Sequence, residues 1–173
     1  MIAAFKGISM MSRMIEWRTW SDYSHVGWLR GDMSIIEAWS KGVTHTRRFD
    51  DDHMQGTIIE LFKVRLTEGE ESGLEEFLLS QKGKAYDWAG ILAFASRLEI
   101  QSQDKWFCSE LLFAGFDKIK KPLLARIPAW KVPPGLLLNS PLLEENGTLV
   151  CGQNERTQHE IDYAGDVGSA RCF

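Results

Sequence analysis

Ser24-His-Val-Gly-Trp-Leu-Arg-Gly-Asp-Met-Ser-Ile-Ile-Glu-Ala-Trp39 decides the fold of this chain. Ser24 to Arg30 and Ser34 to Trp39 read as two strands, with Gly31-Asp32 between them as a turn. Each strand carries one residue able to do chemistry. His25 opens the first, where a strand holds its imidazole stiffly, as a base requires. Glu37 interrupts the second, and a buried carboxylate needs a partner. Residues opposed in an antiparallel pair share a face, so loop length decides whether the two meet. A two-residue loop at Gly31-Asp32 sends them to opposite faces. A three-residue loop, Gly31 to Met33, brings them to the same face. The plain alternative is a core-edge histidine and an edge-strand charge facing water.

Outward from this hairpin, Ile2 to Phe5 reads as a first strand. Ser9 caps a helix to Trp20, with Met10, Met14, Ile15 and Trp17 at helical spacing. Gly42 to Phe49 reads as a third strand and the acidic stretch Phe49 to Gln55 as a loop holding His53. Thr57 to Leu66 is a strong strand. Thr67 and Glu70 form a capping box for a helix that Gly83 ends, after about Gln81. Asp87 caps another helix, to about Leu98. Gln101 to Lys105 is polar, and Trp106 to Ile119 reads as a helix with Phe107, Leu111, Leu112 and Phe116 on its apolar side. Beyond Lys120, prolines break the chain into short pieces, and an irregular tail follows Gly152. Strands come first and helices later, which predicts α+β with a largely antiparallel sheet.

The 173 residues, 44% hydrophobic and 25% charged, suit one globular domain and exclude a disordered chain. A net charge of −4 without a basic run argues against nucleic acid as a partner. The longest apolar stretches, Trp88 to Ala95 and Leu136 to Leu143, fall short of the about 20 residues of a membrane span. The opening residues lack a basic start before an apolar stretch, which predicts no signal peptide and a cytoplasmic location, with lysis release or a virion also compatible. Seven tryptophans are scattered along the chain and are expected mostly in the core.

Three cysteines are too few for a disulfide scaffold. All are inert, or two pair and one is left over, or one does chemistry. Cys108 starts a predicted helix in Trp106-Phe-Cys-Ser-Glu-Leu-Leu112. Helix dipole and free N–H groups there favour a thiolate and can hold an oxyanion. A buried core thiol is the plain alternative. Cys108, His25 and Glu37 together give a nucleophile, a base and an acid that orients the base. No Cys-x-x-Cys or His-x-x-x-His spacing supports zinc, and no glycine-rich phosphate loop occurs, so no metal or cofactor is expected. His45 and His53 lie in polar surroundings, and His159 in the tail.

Ser24-His-Val-Gly27, Ile36-Glu-Ala38, Gly83-Lys-Ala-Tyr-Asp-Trp-Ala-Gly90 and Trp106-Phe-Cys-Ser-Glu-Leu-Leu112 resemble the circularly permuted NlpC-type papain-like cysteine peptidases and amidases, the YiiX/YaeF-like group above all. In that group the histidine strand precedes the cysteine helix, as His25 precedes Cys108 here. The resemblance covers about residues 1–143 and leaves 144–173 as a partly irregular extension. It implies a papain-like antiparallel sheet or partial barrel packed against helices. It implies Cys108 as nucleophile, His25 as base, Glu37 as third polar residue and Tyr86, Phe107 and Ser109 beside the substrate. Leu137-Leu-Asn-Ser-Pro141 resembles the Ser-Pro segment that closes the permuted domain. Where cell-wall enzymes carry Asp before the nucleophile, this chain has Phe107, which departs from their way of binding a peptide amine. The implied activity is hydrolysis of amide or peptide bonds through a thioester, on a peptide, amide or acyl substrate such as cell-wall peptides. Lipid acyl transfer or thioester cleavage on the same fold, or a non-catalytic phage structural or host-interaction module, are the rivals. Cys151 and Cys172 lie outside the resemblance, either paired or as ordinary thiols.

Overall fold

The computed structural model describes residues 1–88 and 104–152. In chain order the elements are β1 (Ile2–Lys6), α1 (Met10–Thr19), β2 (His25–Leu29), β3 (Ile35–Trp39), β4 (Gly42–Thr46), β5 (Ile58–Val64), α2 (Glu68–Ser80), β6 (Ala85–Tyr86), β7 (Lys105–Trp106), α3 (Cys108–Lys118), α4 (Pro134–Leu137) and β8 (Leu143–Val150). A six-stranded sheet runs β4-β3-β2-β1-β5-β8, every pair antiparallel. β6 and β7 make a separate, parallel pair. Most of the helix predicted from Asp87, and Cys172, lie outside the described residues.

The hairpin takes the three-residue form. Arg30 N–H donates to the Ser34 carbonyl at 2.9 Å, and Met33 N–H to the Arg30 carbonyl at 3.1 Å. Met33 adopts the left-handed conformation, φ +64°, which such loops use to reverse the chain. The register Leu29↔Ile35 and Trp28↔Ile36 therefore puts His25, Gly27 and Glu37 on one face.

Alternation along the strands gives the sheet two buried faces. Ile2, Ala4, Val26, Trp28, Ile36 and Ala38 pack with Leu74 and Leu78 of α2 and Leu111, Leu112 and Phe116 of α3. Ala3, Phe5, Leu29, Ile35, Ile59, Leu61 and Cys151, whose buried thiol is unpaired among the described residues, form the second cluster, with Phe49 against it. Ser9 caps α1 as expected, its hydroxyl accepting from Ser12 N–H. The apolar stripe of α1 does not join the core. Ile15 is buried, but Met10, Trp17 and Trp20 are 88%, 74% and 92% exposed. The tryptophans as a group thus depart from expectation, Trp28 alone being fully buried among those described.

α3 starts at Cys108, later than the predicted Trp106. Trp106 pairs with Tyr86 across β6 and β7, and Phe107 stays extended as the N-cap. Gly42, φ +98°, holds the other side of this junction. A Cβ there would lie 2.4 Å from the Lys84 carbonyl oxygen, so only glycine lets the two backbones approach. Val43 N–H donates to that carbonyl at 2.9 Å, tying the β6 segment to the sheet edge beside Trp39. β8 was not read from the sequence. It pairs with β5 from Val64↔Leu143 to Ile58↔Val150, so the sheet extends past the boundary drawn at residue 143.

Candidate functional site

His25 and Glu37, on neighbouring strands, meet at 2.6 Å between Nε2 and Oε2, each side chain 1% exposed. Burial lowers the His25 pKa and Glu37 opposes it, so the imidazole is neutral near neutral pH. Burial alone would raise Glu37, but contacts with His25 and then His53 outweigh it and hold the carboxyl down at about 2. An ionised carboxylate only accepts, so a neutral His25 donates through Nε2–H. Nδ1 then carries the lone pair. It is buried and has no hydrogen-bond partner among the described residues.

Cys108 lies at the first turn of α3, 2% exposed, on the sheet face that packs the helices. The nearby backbone N–H groups of Val26, the residue after His25, of Ser109 and of Cys108 itself favour the charged form of its sulfur. The helix start was expected to favour a thiolate. Burial reverses this and pushes the thiol up to about 12, with the N–H groups opposing and the Glu37 charge adding. The resting sulfur is therefore a neutral thiol. No hydrogen bond joins it to His25 among the described residues.

The structure brings Tyr86 to this site. Tyr86 is buried, edge-on to Trp39 and Trp88. Burial raises its phenol pKa, with the charges of Cys108, Asp87 and Glu37 next. Ser109 and Phe107, expected beside the substrate, are differently placed. Ser109 is fully buried and donates its hydroxyl to the Val132 carbonyl. The Phe107 ring is in the core. Their side chains serve packing because the first turn of α3 is pressed onto the sheet.

His53 is the residue sequence reasoning missed. Its ring stacks on Phe5 with centroids 3.9 Å apart, and its Nε2 lies 3.3 Å from Glu37 Oε2. Three neighbouring aspartates, Asp50, Asp51 and Asp52, gave its loop the look of a solvated turn. Nothing in the local pattern marked the loop as folding over Phe5. The donor atoms of His25, Glu37 and His53 all lie within 4.8 Å of one another. Two imidazoles and a carboxylate suit borderline ions such as Zn²⁺ better than the all-oxygen shells of Ca²⁺ or Mg²⁺.

No family model and no curated protein matches this chain. Among solved structures it is similar to the metalloprotein YiiX of Escherichia coli O157:H7, at 18% identity and TM-score 0.63, over 86% of this chain and 96% of that one. The chain therefore has a YiiX-like α+β fold, an antiparallel sheet packed against a few helices. No helix among the described residues is long and apolar enough to cross a membrane.

Proposed function

We propose that this chain is a cysteine hydrolase of amide or peptide bonds, with Cys108 as nucleophile, His25 as base and Glu37 as the group that orients the base. The observation that carries the reading is the division of labour between the His25 nitrogens. Nε2 is engaged by Glu37, while Nδ1 is buried and without a hydrogen-bond partner among the described residues, on the residue next to Val26, whose backbone N–H favours the charged form of the Cys108 sulfur.

The chemistry follows from the protonation states. Glu37 fixes the tautomer that leaves the Nδ1 lone pair open. As substrate displaces water, Nδ1 takes the thiol proton and the sulfur attacks the carbonyl carbon. Backbone N–H groups at the start of α3 receive the developing oxyanion. The C–N bond breaks, His25⁺ protonates the leaving amine, and a thioester remains on Cys108. Water then attacks the thioester, giving its proton to Nδ1, which returns it to the departing sulfur. A resting thiol held near 12 fits base-assisted attack rather than a standing thiolate–imidazolium pair.

The test offers peptidoglycan fragments, amino-acid amides and acyl lipids to the parent and to Cys108→Ala, with intact-mass detection of acylated protein. One class is expected to be turned over with a transient acyl adduct on Cys108, and the variant to lose roughly 10³-fold or more. Undiminished turnover by Cys108→Ala ends the proposal. Turnover of the acyl lipids alone moves it to acyl transfer or thioester cleavage.

A second reading, metal binding, is favoured by the His25, Glu37 and His53 set. It is also what the description of YiiX says of that protein.

A further inference from the structure

We propose that the two readings exclude each other at one place: a zinc-class cation bound by His25, Glu37 and His53 silences Cys108 by fixing His25 in the wrong tautomer. The inference rests on the hydrolase reading for its consequence, but on the three side chains for its site.

The geometry supplies the argument. Glu37 Oε2 is shared, 2.6 Å from His25 Nε2 and 3.3 Å from His53 Nε2. Donors around a tetrahedral Zn²⁺, with bonds of about 2.0 Å, stand roughly 3.3 Å apart. The His53–Glu37 spacing already matches, the His25–Glu37 pair has to open by about 0.7 Å, and all three donors lie within 4.8 Å of one another. The set is buried, with side chains 1%, 1% and 5% exposed, so few waters compete for the ion. His53 hangs on a loop between β4 and β5, outside the strand pair, and brings the second imidazole that turns an orienting pair into a chelate.

The chemistry then turns on one proton. In the metal-free site the His25 proton is on Nε2, given to Glu37, and the Nδ1 lone pair is free to take the thiol proton. A cation uses the Nε2 lone pair, so the proton must move to Nδ1. The ring remains neutral and its proton count is unchanged, but Nδ1 is now a donor. It has no lone pair left to accept the thiol proton. The Glu37 carboxylate is engaged by the same cation and no longer selects the productive tautomer.

The experiment uses the full chain with ¹⁵N-labelled histidine and titrates ZnCl₂, with MgCl₂ as the second arm. Imidazole nitrogen shifts are expected to show His25 protonated on Nε2 without metal and on Nδ1 after one equivalent of Zn²⁺, with no change from Mg²⁺. Calorimetry is expected to give one site. His53→Ala and His53→Gln are expected to weaken it at least tenfold while amide spectra stay folded. Cys108→Ser is expected to leave it intact, and the Co²⁺ form to lack thiolate charge-transfer absorption. An unchanged His25 tautomer at saturation overturns the proposal. So does binding that ignores both His53 variants, or that disappears with Cys108→Ser. Failure of Cys108→Ala to lower turnover would remove the hydrolase reading and leave the tautomer result standing, so the two failures are distinguishable.

Discussion

Glu110, the third residue of α3, shows how much the first turn of this helix asks of single side chains. Its carboxylate accepts the backbone N–H of Phe107, the half of a capping box that a phenylalanine N-cap cannot return. Burial raises its pKa to about 7, the Phe107 N–H lowers it, and the neighbouring charge of Asp87 raises it further. The folded chain thus binds more protons than the unfolded one between about pH 4.5 and 7. The stability this group contributes is full below its unfolded pKa and is lost as pH rises through 7. Glu110→Gln is expected to raise stability at pH 8 by about 1–2 kcal/mol, after discounting for solvent, and to change it little at pH 5. Urea midpoints at the two pH values check this, and an equal effect at both would count against it. At this scale the sequence was informative about type and uninformative about depth. Cys108, His25 and Glu37 were legible because rare chemistry stood in apolar strands and at a helix start. The raised thiol pKa was not, because desolvation depends on what packs above the residue. Nor was the approach of His53, which depends on the path of a loop.

The hairpin of β2 and β3 was the most legible element. Parity alone decided whether His25 and Glu37 would meet, and the loop from Gly31 to Met33 supplied the odd count. Gly27 completes it in a way the sequence could not express. It lies across from Glu37, and a Cβ there would sit 2.6 Å from Ile35 Cδ1 and 3.2 Å from Glu37 Cβ. Gly27→Ala is expected to cost about 1–3 kcal/mol through overpacking and to push Glu37 off His25. Gly31→Ala, with nothing within 4 Å of the new carbon, is the control and is expected to stay within about 0.5 kcal/mol. Denaturant unfolding of both separates crowding from the loss of a glycine. α1 is the converse case. Its helical spacing marks the helix but leaves its direction open, because periodicity locates an apolar stripe without saying which surface it meets.

Over the whole molecule the sheet is longer than the sequence reading allowed. β8 runs Leu143–Val150 along an edge with exposed positions in neighbouring pairs, so it lacks the strict alternation that identifies a strand. Its pairing nonetheless shields β5, which carries Ile59 and Leu61 of the second core. A chain ended at residue 142 is expected to unfold at a clearly lower urea concentration and to associate through the bared β5 edge. An unchanged midpoint and a monomeric profile in size-exclusion chromatography would refute that.

The hairpin also sets a sequence of events in time. His25 and Glu37 are 12 residues apart, so their pairing is local and belongs to a part of the chain made before Cys108. Cys108 follows β4, β5 and α2, and its helix must find a sheet already in place. During synthesis, base and carboxylate therefore exist together well before any nucleophile does. On the proposed function, the growing chain would hold no reactive centre until most of the sheet is made.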